Sequence, residues 1–287
     1  MDEAPHGRIE RAGPLVRRLL APNPSPFTYT GTQTYIVGDG EVAVIDPGPD
    51  LPDHLEALLA ALAGERVKAI LVTHNHRDHS PAARRLREAT GAPVLGGAPL
   101  AIEDDGPRAD AAFDPDYRPD RILADGETLS GPGWTLCAVA TPGHTSNHLC
   151  FALPEAGALF TGDHVMGWST TVVAPPDGDM AAYMASLERL LARDDRVYYP
   201  AHGPAVDDPR DHVARLIEHR RMREGQIMGQ LGLGEGRIET MVPIIYPDLD
   251  PRLYPAAGLS VLAHLLDLEK RGLAARQGEA WRTSASH

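Results

Sequence analysis

Apolar positions along the chain recur at two periods. Tyr35-Ile36-Val37 and Val42-Ala43-Val44-Ile45 are short apolar runs flanking Gly38-Asp39-Gly40, which predicts a hairpin. Leu51, Leu55, Leu58, Leu59 and Leu62 then recur at helical spacing, with Gly64 as a stop, so the pattern predicts a helix over 52–63. Ala69-Ile70-Leu71-Val72 reads as a buried strand, and Ser80-Pro81 as an N-cap and first-turn proline opening a helix to about Thr90. Strand runs follow at 135–139, 149–153, 158–161 and 197–199, interrupted by a helix near 180–192. The rest reads as helices over 209–231, 238–245 and 256–271, the last closing on Lys270-Arg271 and Gly272. The pattern is that of an α/β body over 1–206 followed by a small helical region over 207–287. Between them, 103–127 carries nine acids against three arginines and reads as a solvated loop that skirts any site.

Composition narrows the function classes. The chain has 287 residues, 43% hydrophobic and 23% charged, which excludes low-complexity disorder. No run approaches the roughly 18 apolar residues of a membrane span. Met1-Asp2-Glu3-Ala4-Pro5-His6-Gly7-Arg8 has no apolar signal segment, and two cysteines form no disulfide framework, so a cytoplasmic location is expected. Cys137 and Cys150 read as small buried hydrophobes. The net charge of −13 disfavours polyanions and membranes as default partners. Thirteen histidines with so few cysteines point to imidazole and carboxylate ligands for a metal.

The chemistry collects where apolar strands stop. Val72-Thr73 runs into His74-Asn75-His76-Arg77-Asp78-His79, and Ala138-Val139-Ala140-Thr141 into Pro142-Gly143-His144. Leu159-Phe160-Thr161-Gly162 runs into Asp163, and Tyr198-Tyr199-Pro200-Ala201 into His202. Sheets of this class place ligands just beyond strand ends, so four such ends converge on one place. His74 and His76 can grip one ion, which Asp78 and His79 cannot easily reach as well. Two adjacent ions fit better, with three imidazoles on one, His, His and Asp on the other, and Asp163 free to bridge. Such donors suit zinc first, with iron or manganese also possible. His6, His54, His212, His219, His264 and His287 lie outside these clusters and read as ordinary surface or core histidines.

THNHRDH resembles the HxHxDH signature of the metallo-β-lactamase fold, supported by Pro142-Gly143-His144-Thr145, Gly162-Asp163 and Pro200-Ala201-His202-Gly203 in order. Nearly the whole chain resembles a group that includes a mitochondrial endoribonuclease and fungal carrier-protein thioesterases. Asn23-Pro24-Ser25-Pro26-Phe27, Gly31-Thr32-Gln33-Thr34-Tyr35 and Gly167-Trp168-Ser169-Thr170-Thr171 carry that likeness, as do 219–224 and 262–273. The resemblance implies an αββα sandwich with a C-terminal winged-helix-like domain. It also implies His74, His76 and His144 on one zinc, Asp78, His79 and His202 on a second, and Asp163 between them. Gln33 stands where related sequences commonly have Asn.

A water shared by two zinc ions becomes hydroxide near neutral pH and attacks a carbonyl or phosphoryl centre, with Asp78 orienting it. His148, four after His144, is either a neighbour of the ligands with a leaving-group role or the first residue of the next strand. Asp46 either holds a ligating His or forms a turn. Trp168 and Tyr199 are candidates for the pocket lining, with core packing the alternative for both. A small thioester, ester or lactone is the expected substrate. Single-stranded RNA is the alternative, with Arg210, Arg215, Arg220, Arg221 and Arg223 as a phosphate track, although Asp211, Glu218 and Glu224 share that helix. An iron-dependent sulfur dioxygenase and a non-enzymatic docking module are further alternatives. The HxExD pattern of diiron flavoproteins is not matched, and the 38 residues between Asp163 and His202 leave no room for the inserted domain of β-CASP nucleases.

Overall fold

The computed structural model describes residues 5–100, 113–234 and 236–284. Its first sheet takes β1 (Ile9–Gly13), β2 (Val16–Leu20), β3 (Gln33–Asp39), β4 (Glu41–Ile45), β5 (Arg66–Val72), β6 (Val94–Gly96) and β7 (Arg121–Ile122) in that spatial order. The strands are antiparallel up to β4 and parallel from β4 onward. The parallel pairs need crossovers, supplied by α1 (Pro52–Ala61) and α2 (Ala82–Thr90). The second sheet contains β8 (Thr128–Gly131), β9 (Trp134–Ala140), β10 (Leu149–Leu153), β11 (Ala158–Gly162) and β12 (Val197–Pro200), ordered β12-β11-β10-β9-β8. Only β11 and β12 run parallel there, joined through α3 (Met180–Leu191).

Strand periodicity produces four layers. Along β4, Ala43 and Ile45 face the other sheet while Val42 and Val44 face the helices; on β5, Ala69 and Leu71 oppose Ile70 and Val72 in the same way. Between the sheets, Tyr35, Leu71, Trp134, Phe151 and Phe160 make the central core. Leu55, Leu58 and Leu86 of α1 and α2 cover the first sheet outside, and Tyr183 and Leu187 of α3 cover the second. Burying a leucine such as Leu58 completely stabilises by roughly 1.5–3 kcal/mol. The result is an αββα sandwich, as the resemblance implied.

α4 (Pro209–Gly232) serves two cores. Val213, Leu216 and Ile217 pack with α3, whereas Ile227 and Leu231 join a separate cluster with Met241, Val261 and Trp281. That cluster is built from β13 (Gly236–Arg237), α5 (Ile238–Ile245), α6 (Tyr254–Lys270), β14 (Ala274–Gln277) and β15 (Ala280–Thr283), whose strands form a small sheet ordered β13-β15-β14. The hydrophobic pattern gives the helices here and misses the wing strands, which are short and half polar.

Other differences have local causes. β1 and β2 carry Glu10, Arg11, Arg17 and Arg18 at a sheet edge, so no apolar run marks them. Ser80 does not cap α2; Pro81 is already helical, and the Ser80 hydroxyl donates to Asp114 Oδ2 at 2.8 Å. That bond tethers a segment expected to be solvated surface. Asp114, Tyr117 and Leu123 are buried and Phe113 bridges to His76, so one end of 113–123 touches a site residue while most of the segment is exposed surface as expected. Residues 101–112 of that loop, and His287, lie outside the described residues. Cys150 is buried as expected, but Cys137 is only half-buried. No described helix is long and apolar enough to cross a membrane.

His264, on α6, is buried with neither ring nitrogen hydrogen-bonded among the described residues. Burial first, then the charges of Arg220, His219 and Arg271, push it down to about 3. An unfolded chain would bind this proton below about pH 6.5 while the folded one refuses it until about 3, so stability falls as pH drops through that window. His264→Leu is therefore expected to gain about 2 kcal/mol relative to wild type on going from pH 7.5 to pH 5 in urea unfolding. An identical pH dependence in the two proteins would contradict this.

Candidate metal centre

Four strand ends meet along one edge of the sandwich. His74, His76, Asp78 and His79 follow β5, His144 follows β9, Asp163 follows β11 and His202 follows β12. All seven are buried. Their donor atoms form two groups, His74, His76, His144 and Asp163 in one and Asp78, His79, Asp163 and His202 in the other, each within 4.8 Å. In the first, His76 Nδ1 lies 2.9 Å from His74 Nε2 and 3.2 Å from His144 Nε2. In the second, His202 Nε2 is 3.1 Å from Asp78 Oδ2 and 3.2 Å from Asp163 Oδ1, and His79 Nε2 is 3.3 Å and 3.4 Å from the same oxygens. Asp163 offers Oδ2 to the first group, 3.7 Å from His144 Nε2, and Oδ1 to the second.

Four of the five imidazoles are turned by their other nitrogen. His79 Nδ1 donates to Asp46 Oδ2 at 3.0 Å, His144 Nδ1 to the Val172 carbonyl at 2.6 Å and His202 Nδ1 to the Gly31 carbonyl at 3.2 Å. His74 Nδ1 faces Thr73 Oγ1 at 3.1 Å, and Thr73 in turn donates both its backbone N–H and its hydroxyl to Asp46 at 2.8 Å. These bonds leave the opposite nitrogens of four histidines aimed at the centre, the arrangement that tunes a metal ligand. Asp46 holds its place with φ 48, a left-handed conformation that aspartate tolerates better than most side chains. Of the two sequence readings of Asp46, the hydrogen bond to His79 accords with holding a candidate ligand.

Burial opposes charge throughout, yet the two groups respond differently. It pushes His74 well down, helped by His79 and His76, and takes His76 to about 3, so these rings present neutral lone pairs. Around His79 and His202 burial is outweighed by Asp78 and Asp163, which hold His79 well above its ordinary range and His202 up at about 10. Burial alone would raise Asp78 and Asp163, but the facing imidazoles hold both well below the usual carboxylate range. Here protons balance buried carboxylates, the balance a divalent cation takes over when it displaces them. Asp78 Oδ1, His79 Nε2 and Asp163 Oδ1 are also buried without an acceptable hydrogen bond among the described residues. Donor types, spacing and unmet polar atoms all fit divalent metal.

His148 sits behind this cluster. Its Nδ1 donates to Thr141 Oγ1 at 2.8 Å, and its Nε2 accepts the Asp163 backbone N–H at 3.3 Å. Gln33 donates to the Gly203 and Pro200 carbonyls at 2.6 and 3.3 Å, bracing the turn that carries His202. Tyr199 packs in the central core, while Trp168 stacks on Tyr29 and faces the cavity.

That cavity, of about 370 Å³, has His76, Asp78, His144, Asp163 and His202 at one end. Phe27, Met166 and Trp168 line one side, and Tyr246, Leu253 and Ala257 of the C-terminal region line another. His219, read from sequence as an ordinary histidine, also borders it, as do Arg220 and Arg223. The 219–224 segment was marked in sequence only by family likeness and as a possible phosphate track, because only the packing of α4 against the sandwich turns these three inward. Arg220 is linked to the centre: it donates to the Thr171 carbonyl at 2.5 Å, beside the Val172 carbonyl that orients His144.

Residues 28–202 match the metallo-beta-lactamase superfamily, and 238–281 the beta-lactamase associated winged helix domain. The chain belongs to the metallo-beta-lactamase superfamily. A beta-lactamase-like protein 2 homolog from Drosophila melanogaster is 33% identical over 92% of this chain and 91% of its own length. An atrochrysone carboxyl ACP thioesterase from Aspergillus fumigatus is 35% identical over 77% of this chain, which spans just under two thirds of that protein, 66%. A solved metallo-beta-lactamase family protein from Thermus thermophilus is 25% identical, with a TM-score of 0.77 over 94% of this chain and 99% of that one.

Within this superfamily fold, Asp46 is the test of whether orientation matters. Asp46→Asn keeps the side-chain size and tolerates the left-handed backbone, but removes the charge facing His79. It is expected to weaken metal affinity about 10- to 100-fold in chelator competition, with an unchanged circular dichroism spectrum. Wild-type affinity in the variant would refute the role.

Proposed function

We propose that this superfamily member is a metallohydrolase that uses two zinc ions to cleave a small acyl substrate, a thioester first among esters and lactones. The observation that carries the proposal is the pair of donor groups sharing Asp163 at the end of a largely apolar cavity. His74, His76 and His144 would hold one ion, Asp78, His79 and His202 the other, and Asp163 both. Bound there, two such ions supply Lewis acidity and a water acidified to hydroxide near neutral pH.

The chain's own residues do the rest. Asp78 Oδ2 is held by the Thr32 hydroxyl at 3.2 Å and faces His202, while Oδ1 remains an acceptor able to hydrogen-bond the attacking water and fix its direction. Attack forms a C–O bond, expulsion of the leaving group breaks the C–S bond, and the proton passes to the departing thiolate. We take His148 as the residue that positions Asp163 through its backbone, since its ring does not border the cavity holding the other ligands. On this reading 1–206 is the catalytic unit and 207–287 closes the cavity over it. The fungal relative named as an ACP thioesterase supports a thioester as substrate.

A phosphate track along α4 is not supported. Arg215 pairs with Asp211 and Arg221 with Glu188, while Arg220 is buried.

Metal analysis of the purified protein is expected to give two zinc per chain, and chelation to abolish turnover of acyl thioesters with recovery on adding zinc back. Asp78→Ala is expected to lower kcat by about a thousandfold or more at unchanged thermal stability. A single iron per chain with oxygen consumption would replace the proposal with the dioxygenase. Chelator-sensitive cleavage of labelled RNA without thioester turnover would replace it with the nuclease.

A further inference from the structure

The largely apolar cavity that borders the metal centre is also lined by two guanidinium groups. Arg220 is 2% exposed, and its Nε is buried without a hydrogen-bond partner among the described residues. Its contacts are the Thr171 carbonyl and the ring of Tyr183, whose centroid is 5.2 Å from the guanidinium carbon. Arg223, one helical turn on, lies over the Tyr246 ring at 4.3 Å and donates to the Ile245 carbonyl, Gln226 and His219 Nε2. Neither forms an ion pair with a carboxylate among the described residues, whereas Arg215, Arg221 and Arg271 nearby all do. Both border the cavity, whose only acids among the described residues are Asp78 and Asp163.

Taking a guanidinium out of water without an anion is costly, and the cost is recovered when an anion arrives. We infer that Arg220 and Arg223 form an anion subsite, and that the acyl substrate carries a carboxylate at the end remote from the scissile carbonyl. This rests on the hydrolase reading above and adds to it the charge of the substrate. A carboxylate suits the site better than a polyanion. A guanidinium fork matches its two oxygens in one plane. The lining also includes Tyr246, Leu249, Leu253 and Ala257, which suit a hydrocarbon chain. Two cations bordering a cavity of about 370 Å³, Arg220 buried and Arg223 half-buried, fit one acidic group, whereas a nucleic-acid backbone needs a row of them.

Two thioesters of the same neutral thiol separate the ideas, one of hexanoate and one of adipate, equal in chain length and differing only in the terminal carboxylate. The zinc-loaded full chain is expected to favour the adipoyl thioester in kcat/KM by at least about tenfold. Arg223→Gln is expected to bring that preference below about threefold through KM of the charged substrate alone, with Arg223→Lys restoring part of it. The hexanoyl thioester reports fold and metal loading in each variant. Calorimetric binding of free adipate, with hexanoate and inorganic phosphate as comparison ligands, gives a readout that needs no turnover. Equal kcat/KM for both thioesters, or an undiminished preference in Arg223→Gln, would overturn the subsite while leaving the hydrolase intact. Tighter binding of inorganic phosphate than of adipate would overturn the carboxylate assignment. Turnover of neither thioester would remove the hydrolase reading, and adipate binding weakened by Arg223→Gln would then still support the subsite.

Discussion

Two carboxylates, Asp78 and Asp163, are buried at the edge of a β-sandwich where water cannot solvate their charge. Charge in such a place must be met by opposite charge or by directed hydrogen bonds, or the group gives it up. Five imidazoles surround the pair, and the protonation of four of them diverges with burial and with the charges they face. His79 and His202 touch the carboxylates and are held charged, while His74 is held neutral by burial and by its neighbours. The same geometry suits a pair of divalent cations, because a cation can take the place of the protons without moving the ligands.

Holding those rings still falls to atoms that touch no ligand atom of the cluster's far side. Asp46 links the end of β4 to Thr73 and His79, so neighbouring parallel strands are locked at the point where their side chains become ligands. The Val172 and Gly31 carbonyls do the same for His144 and His202 from loops. Rigid sheets supply position, and backbone acceptors at their ends supply direction.

α4 makes the C-terminal region part of the site. One half of the helix packs on α3 and the other builds the winged-helix core, so the small domain is fixed against the sandwich and not tethered by a free linker. From the seam, Arg220 reaches the loop that orients His144. The cavity is therefore lined by metal-site residues of the sandwich, by cationic side chains of α4 and by apolar residues of both regions.

Much of this was legible in the linear chain. Short apolar runs marked the central strands, leucine spacing marked α1, and the crowding of His and Asp just past strand ends marked the ligands, because period and adjacency are properties of sequence. The wing strands, β1 and β2 were not legible: they lie at edges, are half polar and owe their pairing to neighbours. Phe113 and Asp114, and the inward turn of His219, Arg220 and Arg223, lay beyond reach for a related reason. Nothing in a polar loop or an arginine-bearing helix says which face turns inward, and only the docking of distant segments decides whether such a side chain meets water or a buried cavity.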